Sequence, residues 1–273
     1  MKTQSEKAEQ FRRMHHGPEI LVLPNAWDCA SARIFEQAGF PAIATTSAGI
    51  AFSFGYPDGE KIPRNLMLAT VRRIVDCVRI PVTADLEGGY DNIEKTASAL
   101  IESGAIGLNL EDLLHSEPPV LEDITKQAEK IRMVRRIGEA SGIHLVINAR
   151  TDAYLAQIGE PASRFDHACR RLRAYIDAGA DCVFLPGLTD EATIGRVLET
   201  LKFPLNILAV PGAPTISRLQ VLGVARVSVG SGLMRSAMGF TRRVALRLKQ
   251  DSDLTAMFDG AVPFAEANRL LEK

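Results

Sequence analysis

The chain has little of what would point to nucleic acid or lipid. Its 32 basic residues are balanced by 33 acidic ones, with no long block of either sign. That excludes the basic footprint of a nucleic-acid binder and the polybasic cluster of a membrane-surface protein. No apolar run approaches the roughly 18 residues a membrane span needs. The first residues, MKTQSEKAEQFRRMHH, lack the apolar centre of a secretory signal and read as a short charged helix. Four cysteines, Cys29, Cys77, Cys169 and Cys182, lie far apart without a CxxC pair, and read as reduced core thiols of a cytoplasmic protein. His15, His16, His144 and His167 show no metal-ligand spacing. No GxGxxG follows the first apolar run, where an open dinucleotide-binding sheet would carry it.

What is present is a recurring phrase. Amphipathic stretches end in Gly and pass at once into a short apolar run: EQAGFPAIATT, ESGAIGLNLED, ASGIHLVINAR, DAGADCVFLPG and VLGVARVSVG. A glycine there can close a helix in the left-handed conformation. The runs that follow are apolar throughout rather than alternating, as for strands covered on both faces by helices. This predicts strands near 20–24, 42–46, 82–86, 106–110, 145–149, 182–186, 206–210 and 226–230. The helices between them fall near 28–38, 64–78, 93–103, 124–141, 163–178, 190–201, 215–222 and 232–249, with one more over 253–271. Strict alternation implies parallel strands and right-handed crossovers. Eight units in this length fit one α/β domain over 1–273, a closed (β/α)8 TIM-type barrel, with an open doubly wound sheet as the rival.

In such a barrel the loops after the strands build the site. They carry Asn25-Ala26-Trp27-Asp28, then Thr46-Ser47-Ala48-Gly49 with Tyr56-Pro57-Asp58 further on. Next come Asp85-Leu86-Glu87-Gly88-Gly89-Tyr90, Asn109-Leu110-Glu111-Asp112 and Asn148-Ala149-Arg150-Thr151-Asp152. So many carboxylates at one mouth repel unless a cation compensates them. Asp85 and Glu87, two apart on extended backbone, point to one side, and Glu111 ends the neighbouring strand. An all-oxygen set with no His or Cys beside it suits Mg2+, or Mn2+, rather than zinc. Arg150 is the one cation at the mouth, placed to clamp a substrate carboxylate in bidentate fashion. A structural pair with Asp152 is the plainer role open to it. Asp28 reads as a helix N-cap, and Asp112 as a supporting loop group. His115, on the loop over the mouth, reads as a surface histidine or as an acid–base group. Tyr90 is a second proton-transfer candidate, and Asn206 a further substrate contact.

Asp58 in a Gly-x-Pro-Asp loop, ADLEGGY, NLEDL and NARTDAY, in that order, resemble the isocitrate lyase/phosphoenolpyruvate mutase superfamily over about residues 20–240. The resemblance implies a Mg2+-bound 2-oxo carboxylate or enolpyruvate core. In it Asp85 binds the metal, Glu87 and Glu111 complete its shell, and Asp58 lies nearby. Arg150 holds the substrate carboxylate, and the turn Thr46-Ser47-Ala48 offers backbone N–H groups to the carboxylate or enolate oxygen. It also implies an eighth helix swapped between subunits, hence a homodimer or homotetramer. The departures are as informative. DLLHSEPPVLED after Glu111 has neither the Lys-Lys-Cys-Gly-His loop of the isocitrate and methylisocitrate lyases nor the Lys and Asn of the phosphonomutases. Pro186 stands where the latter carry a His, and Glu87 replaces the more usual Asp. The similarity is to the short-loop branch acting on small 2-oxo acids. It implies a carbon–carbon lyase working through a pyruvate-like enolate, with a phosphoenolpyruvate or carboxyphosphonoenolpyruvate mutase, or a catalytically weak 2-oxo acid binding protein, as alternatives.

Overall fold

A computed structural model describes residues 2–250 and 255–272. The chain opens with α1 (Gln4–Met14), capped by a reciprocal pair between Thr3 and Glu6. Then follow β1 (Leu21–Leu23), β2 (Asn25–Ala26), α2 (Cys29–Gln37), β3 (Ile43–Thr45), α3 (Ser47–Ser53), α4 (Arg64–Cys77), β4 (Val82–Asp85), α5 (Ile93–Glu102) and β5 (Gly107–Glu111). A small antiparallel pair, β6 (Leu113–Leu114) and β7 (Val120–Leu121), precedes α6 (Ile124–Ala140), β8 (Val146–Arg150), α7 (Pro161–Asp177), β9 (Cys182–Phe184), α8 (Glu191–Leu201), β10 (Leu205–Leu208), α9 (Ile216–Leu222) and β11 (Arg226–Ser228). The described chain ends in α10 (Gly232–Gln250), α11 (Thr255–Phe258) and α12 (Phe264–Leu271).

All pairings in the main sheet are parallel, in the order β1-β11-β10-β9-β8-β5-β4-β3-β2. The two outer members, β1 and β2, are separated by Pro24 alone. Pro24 has no N–H to donate, so one barrel strand breaks into two short ladders. Its first half pairs with the last strand and its second half with β3, which brings the sheet round on itself. Every predicted strand lies in this sheet, and the helices alternate with them as the recurring phrase demands. Gly104 after α5 has φ +83° and Gly223 after α9 has φ +88°, the left-handed closure read from the sequence.

The main core lies between sheet and helices, with Val82, Ala84, Leu108, Ile147 and Val183 facing Met67, Leu100, Ile131 and Leu172. A second cluster sits inside one end of the barrel. There Phe11 of α1 packs with Leu21, Leu23, Ala44, Ile106 and Val146, so the N-terminal helix plugs the barrel floor. Gly107 allows the close approach of β5 to β8, because a Cβ there would lie 2.4 Å from the Val146 carbonyl oxygen.

Three local readings are corrected. Residues 47–53 form a helix, α3, where the sequence suggested a turn running into loop; Thr46 caps it by accepting from the Gly49 N–H. The loop after Glu111 folds into the β6–β7 hairpin. The predicted helix over 253–271 begins outside the described residues, and beyond them it is two helices: Gly260 takes φ +70° and Pro263 starts α12. α10 forms as predicted but has no buried residue, and Met238, Phe240 and Leu246 stand exposed along it.

Candidate metal and substrate site

β3, β4, β5 and β8 deliver their C-terminal residues to one mouth. Asp85, at the end of β4, is paired in register with Asn109 of β5, and Asn109 with Asn148 of β8. Asp85 is buried. Its Oδ2 accepts from the Ser47 hydroxyl at 2.9 Å and the Ser47 N–H at 3.2 Å, and Asn109 Nδ2 lies 3.4 Å from Oδ1. The N-terminus of α3 is thus turned on Asp85. Thr46 and Ala48 flank that contact and are buried with it.

Glu87 follows on a backbone with φ +53°, which aims its side chain beneath the loop that carries Asp58. Its Oε2 accepts from the Glu60 N–H at 2.6 Å, while Oε1 is buried without a partner among the described residues. Glu60 in turn accepts from the Tyr90 N–H at 2.7 Å. Glu111 ends β5, fully enclosed, with its Oε2 2.7 Å from Arg150 Nη1. His115, on the hairpin, reaches over both acids: its Nε2 is 3.5 Å from Glu111 Oε1 and 3.6 Å from Glu87 Oε2. The ring lies on the Cα of Gly59, where a Cβ would meet it at 3.1 Å.

Charge crowding shows in the protonation of these groups. Burial, then the charges of Glu111, Asp58 and Asp85, push the Glu87 carboxyl up to about 9. Glu111 is raised by burial, against the pull of Arg150. Asp58 keeps contact with solvent, yet loss of water around its carboxyl and the charge of Asp85 raise it too. His115 is raised chiefly by its bond to Glu111. Tyr90 is raised by burial and the nearby carboxylates, and its hydroxyl is buried without a partner. Both therefore hold their protons more firmly than in water.

Arg150 ends β8 beside Glu111. Asp152 Oδ1 accepts from its Nε at 3.0 Å and its Nη2 at 2.7 Å. The structural pair weighed from the sequence is present, and Glu111 is added to it. A guanidinium has five N–H groups; among the described residues Asp152 takes two, and Nη1 pairs with Glu111, which leaves part of the fork for a ligand.

Glu87, Glu111 and His115 offer ligand atoms within 4.8 Å of one another. This differs from the predicted set in two ways. A histidine belongs to the cluster, and Asp85 stands beside it, held by Ser47. Asp58 lies near enough to Asp85, Arg150 and His115 for their charges to act on it. Asn206 lies instead inside the barrel wall, fully buried, its amide bonded to the Ser228 hydroxyl at 3.2 Å, because its early position on β10 keeps it below the rim. Asp28 is the N-cap of α2. Three participants escaped sequence reading: Glu60, which ties Glu87 to Tyr90; Ser47 as donor to Asp85; and Lys130, whose Nζ reaches the Gly88 carbonyl at 3.2 Å. The only signal for the first was its place two residues after Asp58.

Residues 11–249 match the phosphoenolpyruvate phosphomutase family. The chain belongs to that family, within the phosphoenolpyruvate mutase/isocitrate lyase superfamily. It is 31% identical over 212 residues to the 2-methylisocitrate lyase of Bacillus subtilis, covering 74% of this chain and 67% of that one. A lyase/mutase candidate from Burkholderia cenocepacia J2315 superposes with a TM-score of 0.91 at 35% identity, over 99% of this chain and 97% of the other. The fold is also that of a phosphonopyruvate hydrolase solved with oxalate and Mg2+, with a TM-score of 0.84 at 24% identity over 97% and 94% of the two chains. The relatives thus include one named as a lyase, and the fold is shared with a hydrolase whose structure holds Mg2+.

Proposed function

We propose that this chain is a Mg2+-dependent enzyme that breaks a carbon–carbon bond beside a 2-oxo carboxylate, leaving a pyruvate-like enolate. The observation that carries the reading is one buried mouth in which Arg150, with part of its fork left for a ligand among the described residues, adjoins Glu87, Glu111 and His115. The donor set fits a divalent cation. Glu87 has an orphaned buried oxygen, its carboxyl is raised by like charges, and all donors except His115 are hard oxygens. Asp85, Glu87 and Glu111 would hold the ion. When bound, Mg2+ supplies positive charge that favours developing negative charge on a substrate oxygen.

The chain's own residues do the rest. Arg150 binds and orients the carboxylate through its remaining fork. Ser47 and the neighbouring backbone of Thr46 and Ala48 sit where a substrate oxygen would meet the start of α3. Asp58 and the hairpin with His115 flank the mouth and would narrow its access to water once a ligand is bound. His115 Nε2 and the unpartnered Tyr90 hydroxyl keep protons available for the carbon that the bond cleavage leaves electron-rich. A small 2-oxo acid such as oxaloacetate fits these requirements. Pyruvate release from oxaloacetate, dependent on Mg2+, is the expected result, with little conversion of phosphonopyruvate to phosphoenolpyruvate by phosphorus NMR.

The family description favours a second reading, the mutase. A migrating phosphoryl group needs several positioned cations, and here Arg150 is largely engaged by acids while the hairpin brings no lysine. A clear phosphoenolpyruvate signal without pyruvate release would promote that reading. Binding of oxalate with no turnover of either substrate would instead indicate a 2-oxo acid binding protein. The exposed apolar residues of α10 support a second copy packed on that helix, so a sedimentation mass of two or four chains is expected.

A further inference from the structure

Asp112 follows the acid at the end of β5 and is almost wholly buried. Its Oδ2 accepts from the Tyr175 hydroxyl at 2.7 Å and from Arg171 Nη1 at 3.1 Å, both on α7. Its Oδ1 accepts from the backbone N–H of Asp152 at 3.0 Å. Asp152 is the residue that takes two N–H groups of Arg150. Arg171 Nη1 also donates to the Glu122 carbonyl at 2.8 Å, and the Glu122 N–H donates to the Asp112 carbonyl at 2.7 Å. Glu122 closes the base of the hairpin that carries His115. One buried ion pair thus joins four segments, three of which bear residues of the mouth.

Stability alone does not explain such a pair. Removing two charges from water costs about as much as their attraction returns, and an apolar replacement of like shape is often neutral or better. What a hydrogen-bonded charge network does supply is a fixed orientation. The guanidinium plane of Arg150 is set by Asp152, and Asp152 is set from behind by Asp112. Asp112 has little freedom while Arg171 and Tyr175 hold its other oxygen.

We propose that Arg171 and Tyr175 of α7 are positioning residues that act through Asp112 and Asp152 to hold Arg150 in the orientation that grips a substrate carboxylate. The inference rests on the clamp role of Arg150 given above. It also predicts a division of labour. Of the residues in this network Arg150 meets a metal acid, its Nη1 lying 2.7 Å from Glu111 Oε2, while Arg171, Tyr175 and Asp112 bond to neither Glu87 nor Glu111, so the loss should fall chiefly on carboxylate binding and far less on the cation.

The test is a double-mutant cycle with titration calorimetry, using oxalate in the presence of Mg2+ and, separately, Mg2+ alone. Arg171→Met keeps the stem and removes the charge; Tyr175→Phe removes one hydrogen bond. Oxalate affinity should fall about 10-fold in the first and about 2-fold to 3-fold in the second, with Mg2+ affinity changed less than about 2-fold. Combined with Arg150→Met, either change should add almost nothing to the loss from Arg150→Met alone, because on this proposal their effect on the ligand runs through Arg150 rather than through the Glu122 contact with the hairpin. Full additivity, or an Arg171→Met protein that melts lower yet binds oxalate as the wild type does, would overturn the proposal and leave a structural ion pair. Should Arg171→Met fail to fold, the Tyr175→Phe cycle decides by the same criterion. Wild-type protein that binds no oxalate would be a different failure, that of the clamp itself.

Discussion

At the N-terminal end of the barrel, Asp181 lies just before β9 and has a donor on each oxygen. His144 Nε2 lies 2.6 Å from Oδ1; Arg135 Nη2 at 2.5 Å and the Ile147 N–H at 2.8 Å reach Oδ2. Burial alone would raise its pKa, but those partners more than offset it, and the carboxyl sits below its usual range. At the opposite end Glu87 is more deeply buried, has one N–H on one oxygen and, among the described residues, none on the other, and is pushed up to about 9 among three other acids. Both are carboxylates of one barrel. The first is arranged so that the folded chain needs its charge; the second so that the folded chain resists its charge until something positive arrives. In a (β/α)8 barrel that is the division between an end that stabilises and an end that reacts.

The most severe way to test the contrast is at the cation. Asp85→Ala should remove measurable Mg2+ binding by calorimetry while the far-ultraviolet circular dichroism stays unchanged. Unchanged affinity would shrink the ligand set to Glu87, Glu111 and His115 and leave Asp85 as a cap for α3. The clamp comes next. Arg150→Lys keeps the charge but loses the planar fork, so oxalate affinity should fall about 10-fold to 100-fold, the scale of one or two charge-assisted hydrogen bonds. Loss of melting temperature with normal oxalate affinity would make Arg150 a structural partner of Asp152.

The mouth side of this contrast was legible in the sequence, whereas nothing there singled out Asp181. Five glycine-closed phrases locate strands, and the order of acids after those strands places Asp85, Glu87, Glu111 and Arg150 at one mouth, because topology does the placing. What escaped depends on geometry that spacing does not carry. His115 reads first as a surface residue and only second as an acid–base group, since nothing in DLLHSEPPVLED announces a hairpin that folds its ring back onto Gly59. Asn206 reads as a substrate contact although it opens the predicted strand 206–210, and in a barrel the start of a strand lies below the mouth, where its amide meets Ser228. Glu60 and the Arg171–Asp112 pair are long-range contacts between segments with no shared pattern. The Pro24 break was visible as a proline, but its consequence, one strand serving two neighbours, needs the closed sheet.

A smaller effect is expected at the floor. Asp181→Asn leaves Arg135 without its charged partner, and should cost about 2–4 kcal/mol of unfolding free energy at pH 7. Because the folded pKa is depressed, that contribution is present above the unfolded value of about 3.9 and is lost as the pH falls through the folded value. The gap between wild type and variant should therefore be flat from pH 7 to about 5 and close below about 4. Denaturant titration at several pH values measures it; a gap that widens in acid would mean that Asp181 is not the charged anchor of this end.

The smallest effect, and the one that most sharpens the comparison, has the opposite sign. In chelated protein the folded state holds the Glu87 proton up to about pH 9, whereas an unfolded chain releases it near pH 4.3. Between those values the folded state binds the extra proton, so this group lowers stability as the pH rises. Glu87→Gln keeps an oxygen for the Glu60 N–H and removes the charge. It should match the wild type near pH 4 and exceed it by about 1–3 kcal/mol at pH 8, a figure held well below the full linkage value because relaxation and water entry soften buried charges. Added Mg2+ should reverse the order, raising the melting temperature of the wild type more than that of the variant, since only the wild type offers the ion a carboxylate there. Thermal unfolding at the two pH values, with chelator and with Mg2+, reads all four conditions. A Glu87→Gln protein less stable than wild type at pH 8 in chelator would place Glu87 with Asp181, as a satisfied structural acid, and would remove the electrostatic case for a cation at the mouth.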